Sequence, residues 1–201
     1  PMRVSKRPYG VSGPLSTHTE VKPRSGTSLE SIKNLCGQNG NDVLDGGGRD
    51  RLYGGNGNGT LRGGTGSGDR LEGNASDDTY LFGAGDGNTR VNNYDANAAS
   101  VDTAQFEDVT IEDLWFSRSG NDLQITVAGT DDQVAISNWY SNSNYQVDRL
   151  ETGFSVLLNS QVEQLVSAMA SYSVPSGAGN VIPQDVKDEL QPILVDTWQT
   201  T

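Results

Sequence analysis

The sequence predicts a mainly β protein, in which a glycine-rich repeat array of short strands and loops is followed by a small antiparallel β region and one or two C-terminal helices. Three observations carry this. Gly supplies 25 of 201 residues while apolar residues make up only 33%, too few for a large conventional core. Glycine and one apolar residue recur every eight to ten positions between Gly37 and Leu81. Alternating apolar residues then return after residue 99 as the glycines thin out.

Charge narrows the partners. The formal net charge is −12, and a chain this acidic lacks the Lys and Arg needed to displace counterions from phosphates, so nucleic acid is excluded and cations are the natural partner. Residues 1–35 hold six Lys/Arg against two Asp/Glu, whereas the remainder holds eight against twenty-four, so the acidic part begins where the glycines do. A single cysteine, Cys36, excludes an internal disulfide, and a single histidine, His18, excludes sites that need two imidazoles. No apolar run approaches the roughly 18 residues of a membrane span, and the first thirty residues lack the apolar stretch of a signal peptide. A soluble chain with no transmembrane segment and no N-terminal address is expected.

Residues 1–34 mix Pro, Ser, Thr, Gly and basic residues without a sustained period, and are expected to form an extended or disordered lead-in. The repeats follow within residues 35–98: Gly37 to Asp45, Gly46 to Tyr53, Gly54 to Arg62, Gly63 to Glu72 and Gly73 to Leu81, each restarting on glycine. Their apolar marks are Leu44, Leu52, Leu61, Leu71 and Tyr80, and Leu35 and Val91 extend the rhythm by one strand at each end. Residues 99–172 read as antiparallel strands, with Leu123 to Val127 alternating and turn residues on either side at Ser119 to Asp122 and Ala128 to Asp132. Val162, Leu165, Val166 and Met169 lie at helical spacing and predict a short amphipathic cap. Residues 173–201 begin as a linker and continue as a final helix, kinked or interrupted at Pro192 and anchored by Trp198.

The repeat resembles the glycine- and aspartate-rich nonapeptide of RTX (haemolysin-type) proteins, and five tandem copies make the resemblance specific. Val109 to Tyr140 is similar to the haemolysin-related domain that follows such repeats, above all at Leu114-Trp-Phe and Ile136-Ser-Asn-Trp-Tyr140. The resemblance implies a parallel β-roll in which successive strands alternate sides, so that loop n stacks on loop n+2 with a calcium ion between them. The residue chemistry agrees. Calcium takes six to eight oxygens from carboxylates, carbonyls and water, and glycine loops can turn their carbonyls inward around an aspartate. The expected metal residues are Asp42, Asp50, Asp69 and Asp78 with Asp86 of the closing loop, and the loop glycines Gly37, Gly46, Gly48, Gly63 and Gly66.

Departures from the pattern limit the number of ions. Gly59 stands where the third repeat should carry its acid, so of the pairs Asp42 with Gly59, Asp50 with Asp69, and Gly59 with Asp78, only the middle one keeps both carboxylates. The second repeat is one residue short and the fourth one long, while Gln38, Asn74 and Ser76 replace glycines, and Thr89 stands where the closing motif usually has aspartate. About one to three Ca2+ ions, weakly held, are expected. Asp95 and Asp102 read as solvated turn residues, Cys36 as a small buried or strand residue, and Trp115, Trp139 and Trp198 as core rather than as a sugar platform.

No nucleophile with a base, carboxylate pair or open catalytic metal emerges, so no catalytic residue is expected. The expectation is a non-catalytic, calcium-responsive module of a secreted exoprotein, extracellular or at the cell surface. The resemblance implies that type I secretion machinery is its partner, with a candidate export signal in residues 184–201. Two alternatives stay open: an RTX-linked enzyme or adhesin whose working domain lies outside this chain, and a degenerate, metal-independent spacer. Any protein or carbohydrate target is unknown from these residues.

Overall fold

The computed structural model describes residues 20–21 and 32–200. His18 and most of the predicted lead-in lie outside them. The repeat segment forms β1 (Glu20–Val21), β2 (Lys33–Asn39), β3 (Val43–Asp45), β4 (Asp50–Asn56), β5 (Thr60–Arg62), β6 (Asp69–Ala75), β7 (Thr79–Phe82) and β8 (Asn88–Val91). The rest adds β9 (Thr103–Phe106), β10 (Leu114–Ser119), β11 (Asp122–Val127), β12 (Gln133–Ile136), β13 (Arg149–Thr152) and β14 (Ser155–Leu158). Two helices, α1 (Val162–Met169) and α2 (Gln184–Thr197), precede β15 (Gln199–Thr200).

Successive strands alternate between two sheets. One runs β1-β3-β5-β7-β9-β13-β14-β15 and the other β10-β11-β12-β8-β6-β4-β2. Parallel pairing puts the apolar marks in register: Leu35, Leu52, Leu71 and Val91 on one sheet, and Leu44, Leu61, Tyr80 and Ala104 on the other. All eight are buried, so the two stacks face each other across a thin core. One large side chain per strand suffices because the strands are only three to seven residues long. The glycine loops between them contribute no apolar atoms, and for that reason cohesion at the loop edges has to come from polar groups.

Two boundaries differ from the expectation. The first sheet strand begins at Lys33, and Glu20–Val21 pairs with β3, so part of the predicted lead-in belongs to the sheets. The antiparallel strands do form, but they extend the roll rather than standing as a separate small sheet. β12 pairs in parallel with β8, aligning Ile136 with Val91, and β13 pairs in parallel with β9, aligning Leu150 with Ala104. Only then do the hairpins β10–β11–β12 and β13–β14 turn each sheet antiparallel. Their two-residue turns start on Gly120 and Gly153, at φ of 62° and 56°, the left-handed region that a tight hairpin needs.

α1 buries Val162, Leu165, Val166 and Met169, as its spacing predicts, and packs against β10, where the Phe116 N–H donates to Met169 Sδ at 3.1 Å. α2 runs unbroken through Pro192, contrary to the expected interruption. Its packing on α1, with Leu190 and Leu194 buried, offsets the hydrogen bond that proline cannot make. Trp198 is buried 6.5 Å from the Phe116 ring, measured between centroids, and β15 then pairs with β14. Trp115 and Trp139 are core residues too. Cys36 lies in β2 but is exposed, not buried.

Candidate metal centre

Alternation of strands sorts the loops onto two edges. Residues 40–42, 57–59 and 76–78 stack along the first edge, and residues 46–49, 63–68 and 83–87 along the second. Backbone hydrogen bonds tie each loop to the next but one: Gly40 to Asn56 and Gly57 to Ala75 on the first edge, Gly46 to Arg62 and Gly47 to Gly63 on the second. The predicted pairing of loop n with loop n+2 is what the fold contains.

Each acid then reaches back one step along its edge. Asp50 Oδ1 accepts from the Lys33 N–H at 2.9 Å, Asp69 Oδ1 from the Asp50 N–H at 2.6 Å, and Asp78 Oδ1 from the Gly59 N–H at 2.7 Å. The ladder continues past the repeats: Asp102 Oδ1 accepts from the Asp78 N–H and Asp148 Oδ2 from the Asp102 N–H, both at 2.9 Å. Asp42, Asp50, Asp69, Asp78 and Asp86 are all buried, despite their charge. Asp102 is buried as well, which corrects its reading as a solvated turn residue, while Asp95 is half-buried and accepts from the Ser76 N–H. Repetition at wide spacing hides this extension, because Asp102 and Asp148 lie outside any glycine repeat.

The loop glycines act through close approach. A methyl group on Gly37 would sit 2.4 Å from the Gly54 carbonyl oxygen and 2.6 Å from Asp42 Oδ2; on Gly46, 2.5 Å from the Gly63 oxygen and 2.8 Å from Asp50 Oδ2. On Gly63 it would meet the Asp69 side chain at 2.9 Å. A carbonyl of one loop and a carboxylate of its partner thus converge beside a bare Cα. Gly66, at φ 151°, passes within 3.0 Å of the Gly48 backbone on the same measure. Gly48 differs from the other predicted glycines: a methyl there meets nothing within 4 Å, so packing does not demand glycine. Gln38, Asn74 and Ser76 take φ of 80°, 74° and 84°, so these replacements keep the left-handed turn at a steric cost.

Burial makes the carboxylates reluctant to ionise. It pushes Asp78 up to about 8, with Asp102, Asp95 and Asp77 adding repulsion against the stabilising Gly59 N–H. Asp102 rises to about 6 through burial, with Asp148 and Asp95 adding to the shift. Asp69 also rises to about 6 by burial, where the Asp50 and Asp86 charges raise it and Arg49 lowers it. Asp50 Oδ2, Asp69 Oδ2 and Asp86 Oδ1 are buried without a hydrogen-bond partner among the described residues. Burying such oxygens costs free energy unless a cation or proton compensates.

This donor set fits calcium. It consists of hard oxygens only, anionic and carbonyl, on loops that bring one acid each to a step. Among the described residues no three His, Cys, Asp or Glu side chains converge into a metal cluster. Asp86 lies at the end of the second edge, where Gly83 donates to its Oδ2 at 2.7 Å. Nearby Asp132, which the sequence did not single out, accepts from the Gly85 and Gly87 N–H groups at 2.9 and 2.7 Å and ties the closing loop to the following region.

Residues 122–152 match the family described as haemolysin-type calcium binding protein related domain. They cover β11, β12, β13 and the connections between them, the part that joins both sheets of the roll. The chain is also similar to the iron-regulated protein FrpA of Neisseria meningitidis serogroup C, with 37% identity over 76 residues, 36% of this chain. It spans only 7% of that relative's length.

Proposed function

We propose that this chain is a non-catalytic, calcium-responsive RTX module of a secreted exoprotein, which folds on calcium after export and stabilises or presents a parent toxin, adhesin or hydrolase. One observation carries the reading: on stacked loops of one edge, the Asp50 and Asp69 carboxylates each hold a buried oxygen with no hydrogen-bond partner among the described residues, beside Gly46, which has no room for a side chain against the Gly63 carbonyl, and Gly63, which has none against the Asp69 side chain. Calcium would supply the direct ligation that these oxygens lack, beyond the distant Lys33 ammonium 3.8 Å from Asp50 Oδ2. The loop residues do the rest: glycines open the space, the Oδ1 atoms tie adjacent loops, and the Oδ2 atoms face the space left open.

The same chemistry supports folding outside the cell. Without a cation, ionised Asp78 and Asp102 repel each other on the first edge, and Asp69 is repelled by Asp50 and Asp86 on the second, along thin edges that little apolar burial holds together. A chain kept open at low calcium suits export by type I machinery, with the signal in residues 184–201. Residues 184–200 contribute α2 and β15 in the folded state. Deleting them should abolish export; export that persists would discard this part of the reading.

The test of the central claim is a calcium titration followed by far-ultraviolet circular dichroism, with magnesium as control and calorimetry for stoichiometry. A β signal that appears with calcium, with one to three ions bound per chain, is the expected outcome. A spectrum already β-rich in chelator, with no heat on adding calcium, would identify a metal-free spacer instead.

A further inference from the structure

The steps along the second edge are not alike. At Gly46 the neighbour that crowds the bare Cα is the Gly63 carbonyl oxygen, at 2.5 Å from a methyl placed there. At Gly83, at the far end of the same edge, the nearest group to such a methyl is an Arg62 guanidinium nitrogen, reaching forward from the preceding strand of the sheet, with Asp86 Oδ2 at 3.5 Å. A positive group thus crowds Gly83 where an oxygen crowds Gly46.

Arg62 reaches this place from the end of β5 and bridges three successive connections of the edge. Its Nε lies 3.4 Å from Asp86 Oδ2 on the closing loop, and its Nη1 donates at 2.9 Å to Glu107 Oε2, just beyond β9. The opposite end of the edge shows a similar device: Lys33 Nζ donates to the Gly46 carbonyl at 3.3 Å and lies 3.8 Å from Asp50 Oδ2. Among the described residues no ion pair reaches Asp78, Asp102 or Asp148 on the first edge.

Building on the calcium reading above, we propose that Arg62 is a tethered cation that fills the last cation site of the second edge, so that the step at Asp86 and Glu107 is closed without metal. A guanidinium suits this place because it stays charged at any physiological pH and can address two carboxylates at once from one plane. The roll thereby carries its own counterion where it meets the haemolysin-related part.

The experiment compares the wild-type chain with Arg62→Ala, Arg62→Gln and the charge-keeping Arg62→Lys, each by calorimetry with calcium alone and by thermal melting at limiting and at saturating calcium. Arg62→Ala and Arg62→Gln should bind one calcium more per chain than the wild type. Their melting temperature should fall by about 5 °C or more at limiting calcium and recover at saturating calcium, a shift readable for a chain of this size. Arg62→Lys should gain no ion. An equal loss of melting temperature at limiting and saturating calcium, with no added ion in either neutral variant, would reduce Arg62 to an ordinary ion pair and overturn the proposal. The wild-type arm separates the two claims: no calcium bound there defeats the calcium reading, while an ion bound only by the neutral variants still sustains the role of Arg62.

Discussion

At the scale of single residues, the loop glycines and the acids make complementary demands. Gly46→Ala places a methyl 2.5 Å from a backbone oxygen that cannot move away, so it should lower stability in calcium by about 1–3 kcal/mol. Gly48→Ala meets open space and should stay within about 0.5 kcal/mol of the wild type. Paired denaturant melts of the two variants check this contrast, and equal losses would refute the close-approach account. The acids predict a pH dependence whose sign follows from their raised values. An Asp held at about 6 or about 8 when folded, against its ordinary 3.8, keeps a proton that the unfolded chain has released. Stability contributed by Asp69, Asp78 and Asp102 is therefore present at low pH and lost as pH rises through about 6 and then about 8. In chelator the melting temperature should fall between pH 5 and 8.5, whereas in saturating calcium the fall should vanish or reverse because the metal competes with protons. A melting temperature in chelator that climbs across that range would show that these carboxylates are not buried as described.

Among the elements, the informative ones are those that end a pattern. Parallel strands in a roll can add turns without limit, and this one stops because β12 and β13 join its two sheets and pair antiparallel on their other sides with β11 and β14. The cap is completed by α1, whose Leu165 is fully buried against the end of the core. Leu165→Ala should cost about 2–5 kcal/mol, measured by chemical denaturation in calcium. A cost below about 1 kcal/mol would mean that the helix is peripheral to the core. α2 is held by its neighbours in spite of Pro192, an instance of packing overriding local preference.

For the molecule as a whole, shared sheets imply shared folding. Val91 aligns with Ile136 and Ala104 with Leu150, so the haemolysin-related strands have no free-standing edge on which to form without the roll. Trp115 and Trp139 lie in this second part, buried, while the stacked aspartates Asp42, Asp50, Asp69 and Asp78 lie in the first. Tryptophan fluorescence and far-ultraviolet circular dichroism should consequently change at the same calcium concentration, as one cooperative transition. Tryptophans already shielded in chelator, with the roll signal still absent, would show two independent folding units.

Much of this was legible in one dimension. The repeat period, the inward marks from Leu35 to Val91, the acids Asp42, Asp50, Asp69, Asp78 and Asp86 and the stripe of α1 follow from local spacing, which fixes which side of a short strand or helix a residue occupies. The ladder through Asp102 and Asp148, the Asp132 clasp on the closing loop and the reach of Arg62 to Asp86 and Glu107 did not follow, since each joins residues 24 to 47 positions apart. No periodicity marks such pairs. Sequence determined the unit and its chemistry because both are set within nine or so residues; only the tertiary structure decided where the array ends and what neutralises its ends, because those depend on which distant strands come to lie side by side.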